Sequence, residues 1–214
     1  MSTPGLPRGK FITLEGLEGV GKTTNRNFIE SILQSAGIAF TGTREPGGTP
    51  IGEQLRDLVL HGRESMQAET ELLLMAASRV EHVAQVIEPA LSQGNWVLCD
   101  RFLDASVAYQ GAGRELGTAR VAALHEMMGV SIEPDLTLLL DMPVEDGLKR
   151  MAARGKPDRI EREALAFFER ARAAYLQRAE MAPERVKVID ASLPLERVQE
   201  SVQEALTPLL LTHA

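Results

Sequence analysis

The sequence has little cysteine and no long apolar run. A single cysteine, Cys99, cannot form an internal disulfide, and no C-x-x-C or H-x-x-x-H spacing indicates a metal site. No apolar run approaches the ~18 residues of a membrane-spanning helix, and residues 1–10 contain no apolar stretch typical of a signal peptide. We therefore expect a cytoplasmic protein that does not span a membrane, with Cys99 buried in a strand.

Positive charge is also scarce. The 23 Lys and Arg residues are outnumbered by 30 Asp and Glu, which gives a net charge of −7. Nucleic acids and anionic membranes are bound through a broad basic face, so we expect neither as a partner. Any anion that this chain recognises must meet a local cluster of cations.

What is present is the composition of an ordinary globular domain. Hydrophobic residues make up 44% and charged residues 25% of the 214 residues. The chain has no internal repeat, no low-complexity tract and no long linker. We therefore predict a single domain over residues 1–214.

Short apolar runs alternate with helical patterns along the chain. The runs predicted as strands are residues 10–15, 38–42, 96–100, 136–141 and 185–190. Helical periodicity covers residues 22–36, 51–61, 68–91 and 161–181. Continuous apolar runs indicate a parallel sheet that is covered on both faces. We predict an α/β fold, a three-layer doubly wound domain with a five-stranded parallel sheet, whose ligands bind at the carboxyl ends of the strands.

The loop at residues 16–23 matches G-x-x-x-x-G-K-[ST], between a predicted strand and a predicted helix. Its backbone N–H groups and the helix N-terminus cradle phosphates, which predicts a purine nucleoside triphosphate site of the P-loop type. We expect Lys22 to reach the β- and γ-phosphates and Thr23 to hold Mg²⁺. The motifs N-K-x-D and D-x-x-G do not occur, which argues against a GTP-dependent switch.

A second cluster of cations lies at residues 149–159, where five Lys or Arg side chains fall within eleven residues. Arg150 and Arg154 are spaced to share one helix face, and Gly155 and Pro157 break the helix. This pattern is typical of a mobile lid, here about residues 149–160, that closes over a transferring phosphoryl group. A solvated, charged helix end is the alternative.

Four further arginines lie at or near predicted strand ends or on the helices after the second strand: Arg44, Arg56, Arg79 and Arg101. If they converge beside the P-loop, they form a pocket for a second phosphate. A phosphate acceptor is already dianionic at neutral pH, because its second pKa is near ~6. Positioning and electrostatics then suffice for transfer, and the sequence offers no dedicated base motif.

Several motifs occur together in a characteristic order, at residues 16–24, 44–48, 100–102, 108–111 and 158–161. Together they resemble the bacterial thymidylate kinases, which belong to the P-loop nucleoside monophosphate kinases. The resemblance covers nearly the whole chain. It implies transfer of the ATP γ-phosphoryl group to dTMP, giving dTDP and ADP for dTTP synthesis, with Mg²⁺, in an enzyme that is usually a homodimer.

The resemblance also implies roles for individual residues. The residues implied to bind ATP are Gly16, Leu17, Glu18, Gly19, Val20, Gly21, Lys22, Thr23 and Thr24. On the acceptor side, Arg79 and Gln110 are expected to bond the thymine edge with help from Ser106. Tyr109 is expected to press on the deoxyribose and Glu18 to accept a hydrogen bond from the 3′-hydroxyl.

By the same resemblance, Arg44, Arg56 and Arg101 hold the acceptor phosphate. Asp100 organises Arg101 and the water shell of Mg²⁺. The Glu45–Pro46 bond is expected to be cis and to form part of the pocket wall. The implied catalytic residues are Lys22, Asp100, Arg101, Arg150 and Arg154.

Three positions depart from patterns known in the family. Residue 102 is Phe where Tyr is common, and Met75 stands where many members stack an aromatic ring on thymine. Gly19 stands where eukaryotic-type members carry an arginine, so the transition-state cation is expected from the lid. Arg154 is the first choice for that cation and Arg150 the second, and one of the two would stack on adenine. The loop at residues 190–192 is expected beside the adenine.

Two other functions stay open at this point. Another nucleoside monophosphate kinase shares the P-loop and the lid, and only Arg79, Ser106, Tyr109 and Gln110 speak for thymine. A non-catalytic nucleotide-binding module shares the P-loop alone. The helical stretches 68–91 and 161–181 are expected to face the core, and one of them to form the dimer face.

Overall fold

The computed structural model describes residues 7–62, 65–130, 132–153 and 157–212. Within them, five parallel strands form one sheet in the order β2-β3-β1-β4-β5. The strands are β1 (Phe11–Glu15), β2 (Phe40–Arg44), β3 (Trp96–Asp100), β4 (Leu136–Asp141) and β5 (Val186–Asp190). The predicted α/β fold with a five-stranded parallel sheet is confirmed.

Helices follow the strands and cover the sheet. They are α1 (Lys22–Ser35), α2 (Pro50–His61), α3 (Ala68–His82), α4 (Glu88–Ser92), α5 (Leu103–Ser106), α6 (Thr118–Met127), α7 (Val144–Ala152), α8 (Leu165–Met181) and α9 (Leu195–Leu211). Two π-helical segments, Val83–Ile87 and Val107–Gly113, continue α3 and α5. No helix in the described part of the chain is both long enough and apolar enough to cross a bilayer.

The apolar strands divide their side chains between two cores. Ile12 and Leu14 of β1 belong to the larger core, whereas Phe11, Val97 and Cys99 belong to the smaller core. This division follows from the alternation of successive side chains along a strand. Cys99 is fully buried in β3, as predicted.

Several predicted boundaries were wrong. The second strand is Phe40–Arg44 instead of 38–42, because it pairs with β3 from Phe40 opposite Trp96 to Arg44 opposite Asp100. The predicted helix 68–91 is interrupted by the π-helical turn Val83–Ile87. The helix predicted from residue 161 begins at Leu165. Part of the predicted lid, including Arg154, lies outside the described residues.

Candidate active site

The P-loop connects β1 to α1 at the carboxyl edge of the sheet. Gly21 precedes α1 with a φ of 91°, in the left-handed region that favours glycine. The Nζ atom of Lys22 donates hydrogen bonds to the carbonyl oxygens of Gly16 (3.0 Å) and Leu17 (2.8 Å). Burial lowers the pKa of Lys22 to about 8, and the nearby charge of Arg101 contributes. Bound phosphate would restore the charge balance of this buried ammonium.

One cavity of about 280 Å³ opens beside the P-loop. Its lining includes Glu18, Lys22 and Thr23 from the P-loop and its helix. Predicted acceptor-side residues line the same cavity: Glu45, Pro46, Arg56, Met75, Asp100, Arg101, Tyr109 and Gln110. The fold therefore brings the predicted phosphate donor and acceptor residues to a common space.

Arg101 lies immediately after β3 and points across this cavity. Its Nη2 atom donates to Glu18 Oε1 at 2.7 Å, and its guanidinium carbon lies 4.7 Å from the centroid of the Tyr109 ring. Its Nη1 atom lies 3.4 Å from the hydroxyl of Tyr175. Tyr109 also donates to both carboxylate oxygens of Glu18, at 2.9 and 2.8 Å. These contacts fix a cation and an acidic acceptor side by side.

Asp100 ends β3, and both Asp100 and Thr23 line the cavity. Its Oδ1 atom is buried, and no hydrogen-bond partner satisfies it among the described residues. Carboxylate and hydroxyl oxygens, often acting through water, are the groups that Mg²⁺ prefers. A buried acceptor without a partner and a hydroxyl at the start of α1 fit a hydrated Mg²⁺ ion.

Comparison with known proteins agrees with this geometry. The sequence model of the family described as thymidylate kinase matches residues 14–202. The chain is 53% identical over 207 residues to a thymidylate kinase of Pseudomonas fluorescens, covering 96% of this chain and 98% of that one. It is 51% identical over 208 residues to a thymidylate kinase of Bordetella pertussis, covering 97% and 99%.

A solved structure of a thymidylate kinase has a similar fold. The crystal structure of thymidylate kinase from Ehrlichia chaffeensis superposes with a TM-score of 0.77 at 30% identity, covering 94% of this chain and 99% of that one. The chain belongs to the thymidylate kinase family. The resemblance drawn from the ordered motifs is thereby confirmed.

The Glu45–Pro46 peptide bond is cis, as expected from the family resemblance. The carbonyl oxygen of Pro46 accepts a hydrogen bond of 2.9 Å from Arg56 Nη1, which holds Arg56 at the cavity. Arg44 instead donates to Glu53 at 2.7 Å and is 45% exposed, outside the lining of this cavity. Its contact with the acceptor phosphate stays a prediction.

Arg79 and Ser106 lie behind the cavity wall, both fully buried. Arg79 donates to Glu45 Oε2 at 2.7 Å, to Ser106 Oγ at 3.0 Å and to the carbonyl oxygen of Phe102 at 2.9 Å. It also lies 2.5 Å from Nε2 of His125, and burial lowers the pKa of this histidine to about 4. In this structure Arg79 thus connects Glu45 in the cavity lining to Ser106 and Phe102. Its predicted contact with thymine is untested.

Gln110 reaches the cavity from the π-helical segment Val107–Gly113. Its Nε2 atom donates to Glu71 Oε1 at 2.7 Å, whereas its Oε1 atom is buried without a partner among the described residues. Met75, which is 7% exposed, also lines this cavity. Its role in covering the bound base with its thioether stays a prediction.

The lid is described only in part. Arg150 donates to the carbonyl oxygen of Ala191 at 3.3 Å, which places it beside the loop that the resemblance puts near adenine. Arg154 lies outside the described residues. After the gap, Asp158 Oδ1 accepts from the backbone N–H groups of Ile160 and Glu161, and these three residues line the cavity.

Sequence reasoning missed three buried residues that support the site. Glu71 binds Gln110, and Glu15 accepts hydrogen bonds from the N–H of Phe102 and the hydroxyl of Tyr175, both at 2.7 Å. Glu15 carried a usable signal, because it is an acidic residue at the end of an apolar strand, like Asp100. Glu71 and Tyr175 carried no such signal within their helical sequences.

Proposed function

We propose that this chain transfers the γ-phosphoryl group of ATP to dTMP and produces dTDP and ADP. The observation that carries the proposal is the single cavity that joins Lys22 and Thr23 to Arg101 and Gln110. A nucleoside monophosphate kinase requires a binding site for the donor triphosphate. It also requires a cationic pocket for the acceptor phosphate and a group that hydrogen-bonds the base, here the amide of Gln110. The relatives named thymidylate kinase support thymidylate as the acceptor.

The proposed transfer needs no protein base. The acceptor phosphate is a dianion at neutral pH, since its second pKa is near ~6. Arg56 and Arg101 hold it with guanidinium groups, and Lys22 holds the β- and γ-phosphates of the donor. Positioning the two nucleotides and neutralising charge on the transferring group then supply the catalysis. Arg154, with Arg150 as second choice, completes this neutralisation from the lid.

The residues present fit a magnesium ion. Thr23 and the buried Oδ1 atom of Asp100 would hold it, the latter through water. A Mg²⁺ ion held there would supply positive charge that neutralises the charge developing on the phosphate groups. Asp100 also lies one residue before Arg101, so the same turn organises the cation of the acceptor pocket.

The sugar is selected by Tyr109 and Glu18. The Glu18 carboxylate, held by Tyr109 and Arg101, is placed to accept a hydrogen bond from a 3′-hydroxyl. The buried Tyr109 ring occupies the space beside it, where a ribose 2′-hydroxyl would clash. A deoxyribonucleotide is therefore preferred over a ribonucleotide.

A coupled assay of ADP release tests this function directly. The purified protein is supplied with ATP, Mg²⁺ and, separately, dTMP, dUMP, CMP, AMP or GMP. We expect dTMP to give a larger kcat/KM than CMP, AMP or GMP, because Gln110 and Met75 enclose a pyrimidine and Tyr109 excludes ribose. Faster turnover of AMP or GMP than of dTMP, or no turnover with any acceptor, would refute the proposal.

We also propose that the protein works as a homodimer in the cytoplasm, where its nucleotide substrates occur, without a nucleic-acid partner. Support for a dimer comes from the large apolar side chains that α2 and α3 leave exposed. Leu58 is 50% exposed and Leu73 is 56% exposed on these two helices. Sedimentation equilibrium that finds only monomer at micromolar concentration would contradict the dimer.

A further inference from the structure

The carboxylate of Glu71 is a buried junction between three segments of the chain. Glu71 lies on α3 and is fully buried. Its Oε1 atom accepts from Gln110 Nε2 at 2.7 Å, and its Oε2 atom accepts from Arg159 Nη2 at 2.6 Å. Arg114 Nε approaches both oxygens, at 3.3 and 3.1 Å. Every one of these contacts is donated to Glu71.

The carboxylate is ionised at neutral pH. Burial alone raises the pKa of Glu71, but the hydrogen bond from Gln110 and the guanidinium groups of Arg114 and Arg159 outweigh burial. The pKa therefore lies below its ordinary value of 4.5. An ionised carboxylate only accepts hydrogen bonds, so its partners must present N–H groups to it.

This restriction sets the orientation of the Gln110 amide. The amide can face Glu71 only with its NH₂ group, because its oxygen would be repelled by the carboxylate. The amide oxygen must then point elsewhere; it is buried, no partner for it occurs in the part of the chain that the structure describes, and Gln110 lines the cavity. Leaving such an acceptor unsatisfied is costly, so the cavity is built to receive an N–H donor.

We propose that Glu71 determines the base specificity of the acceptor site by holding Gln110 Oε1 toward the cavity. The oxygen accepts from the ring N3–H of thymine or uracil. Cytosine has an unprotonated acceptor nitrogen at the same ring position, so it leaves two acceptors facing each other. This inference rests on the proposed function, because it assumes that the base of the acceptor nucleotide meets Gln110. Glu71 is a positioning residue, since it acts through Gln110.

The lid segment shares the same carboxylate. Arg159 belongs to the predicted lid and also donates to the carbonyl oxygen of Val59 at 2.7 Å, which fixes its side chain between α2 and Glu71. Arg114 donates further to Glu163 at 2.6 Å. Arg114 and Arg159, which do not line the cavity, thus hold the Glu71 carboxylate that orients the amide of Gln110.

The substitution Glu71→Gln tests the proposal. A neutral amide at residue 71 can either accept from Gln110 or donate to it, so the Gln110 amide is free to turn over. We expect the ratio of kcat/KM for dTMP to that for dCMP to fall about tenfold, as for a misplaced buried polar group. The ratio for dTMP to dUMP should stay unchanged, because both bases present the same N3–H. A merely structural role would lower both ratios or neither.

Arg114→Gln is the matched control. It removes one charged partner of Glu71, but Arg159 still pairs with the carboxylate and the bond between Glu71 and Gln110 is kept, so the dTMP to dCMP ratio should stay at the wild-type value. If Glu71→Gln does not fold, Glu71→Asp replaces it. Asp keeps the negative charge for Arg114 and Arg159 but places it one methylene farther from Gln110, so the same ratio should fall.

The outcomes separate this inference from the proposed function. A wild-type protein that does not phosphorylate dTMP overturns the proposed function, and the inference with it. A wild-type protein that prefers dTMP, with an unchanged dTMP to dCMP ratio in the Glu71 variant, overturns the inference alone. A structure of the wild-type protein with dTMP in which Gln110 turns away from Glu71 overturns it as well.

Discussion

Arg101 has a positive φ of 69°, which is uncommon for a residue with a side chain. The conformation costs on the order of 1–3 kcal/mol and persists only where surrounding contacts enforce it. Here its N–H donates to the carbonyl oxygen of Leu14 at 3.0 Å, and the next N–H, of Phe102, donates to Glu15. The two residues at the end of β1 thus hold the turn that aims Arg101 at the cavity.

We expect Arg101→Lys to lower kcat/KM for dTMP by about 100-fold, the range of one lost transition-state donor. Lysine keeps the charge, but its compact ammonium cannot bind Glu18, approach Tyr175 and stack on Tyr109 at once. Steady-state kinetics with dTMP varied at saturating ATP provide the measurement. Arg197→Lys, in an ion pair on the surface, should behave like the wild type.

The sequence predicted a phosphate or base contact for each of four arginines, and the structure places the four in different environments. Arg56 and Arg101 line the cavity, whereas Arg44 pairs with Glu53 outside its lining and Arg79 is buried behind its wall. Arg44 and Arg101 lie at strand ends, and Arg56 and Arg79 lie on the two helices after β2, so their positions along the chain do not separate their roles. Their roles depend on burial and on partners from distant segments, which no local pattern encodes.

At the level of elements, α7 packs directly on the P-loop. Gly19 has a φ of 77°, and a Cβ atom there would lie 2.0 Å from the carbonyl oxygen of Gly147 on α7. A Cβ atom on Gly147 would lie 2.7 Å from the carbonyl oxygen of Glu18. The two backbones meet without room for a side chain. This gives a physical reason why position 19 carries no arginine in this chain.

We expect Gly147→Ala to push α7 away from the P-loop and to lower kcat/KM for ATP by about tenfold, because small displacements of phosphate-binding groups are costly. The added methyl group also strains the packing by about 1–3 kcal/mol, which should lower Tm. Kinetics with ATP varied and scanning calorimetry measure the two effects. Glu145→Ala, on the exposed face of α7, is the control; an equal loss in both variants would contradict the argument.

The interrupted helix shows what periodicity misses. Apolar spacing continues through residues 68–91, yet the backbone widens to π geometry at Val83–Ile87. Pro89 follows at the start of α4, where it has no N–H to donate and its ring crowds the preceding turn. The wider turn is consistent with relieving that crowding. The proline was visible in the sequence, but a kink, a break and a π turn all fit it equally well.

For the whole molecule, Glu15 is the buried carboxyl that couples the sheet to the helical layer. It ends β1 and accepts a hydrogen bond from Tyr175 on α8. Burial, reinforced by the charge of Asp104, raises the pKa of Glu15 from 4.5 to about 8, although Tyr175, Arg101 and the N–H of Phe102 oppose the rise. Between these pH values the folded protein therefore binds more protons at this site than the unfolded chain.

The sign of the pH dependence follows from that difference. The contribution of Glu15 to stability is fully present below about pH 4.5 and is lost as the pH rises through about 8. We expect Glu15→Gln, which resembles the protonated carboxyl, to remove this part of the pH dependence. Urea unfolding between pH 5 and pH 8 should show the stability of the variant rising relative to the wild type as the pH increases.

The exposed carboxyl of Glu184 provides the control for that measurement. Glu184→Gln should follow the wild-type curve across the same pH range, because this side chain lies at the protein surface. A constant difference in stability between Glu15→Gln and the wild type at every pH would show that Glu15 does not titrate in this range.

Sequence patterns alone were enough to predict the P-loop, the alternation of strands and helices, and the family, because these features are local patterns or ordered motifs. The same patterns placed Lys22, Asp100 and Arg101 at one edge of the sheet, since parallel strands bring their carboxyl ends together. The burial of Arg79 behind the cavity wall and the hydrogen bond from Gln110 to Glu71 became visible only in the folded chain. Those two results depend on burial and on contacts between residues 34 to 39 positions apart, which chain order does not specify.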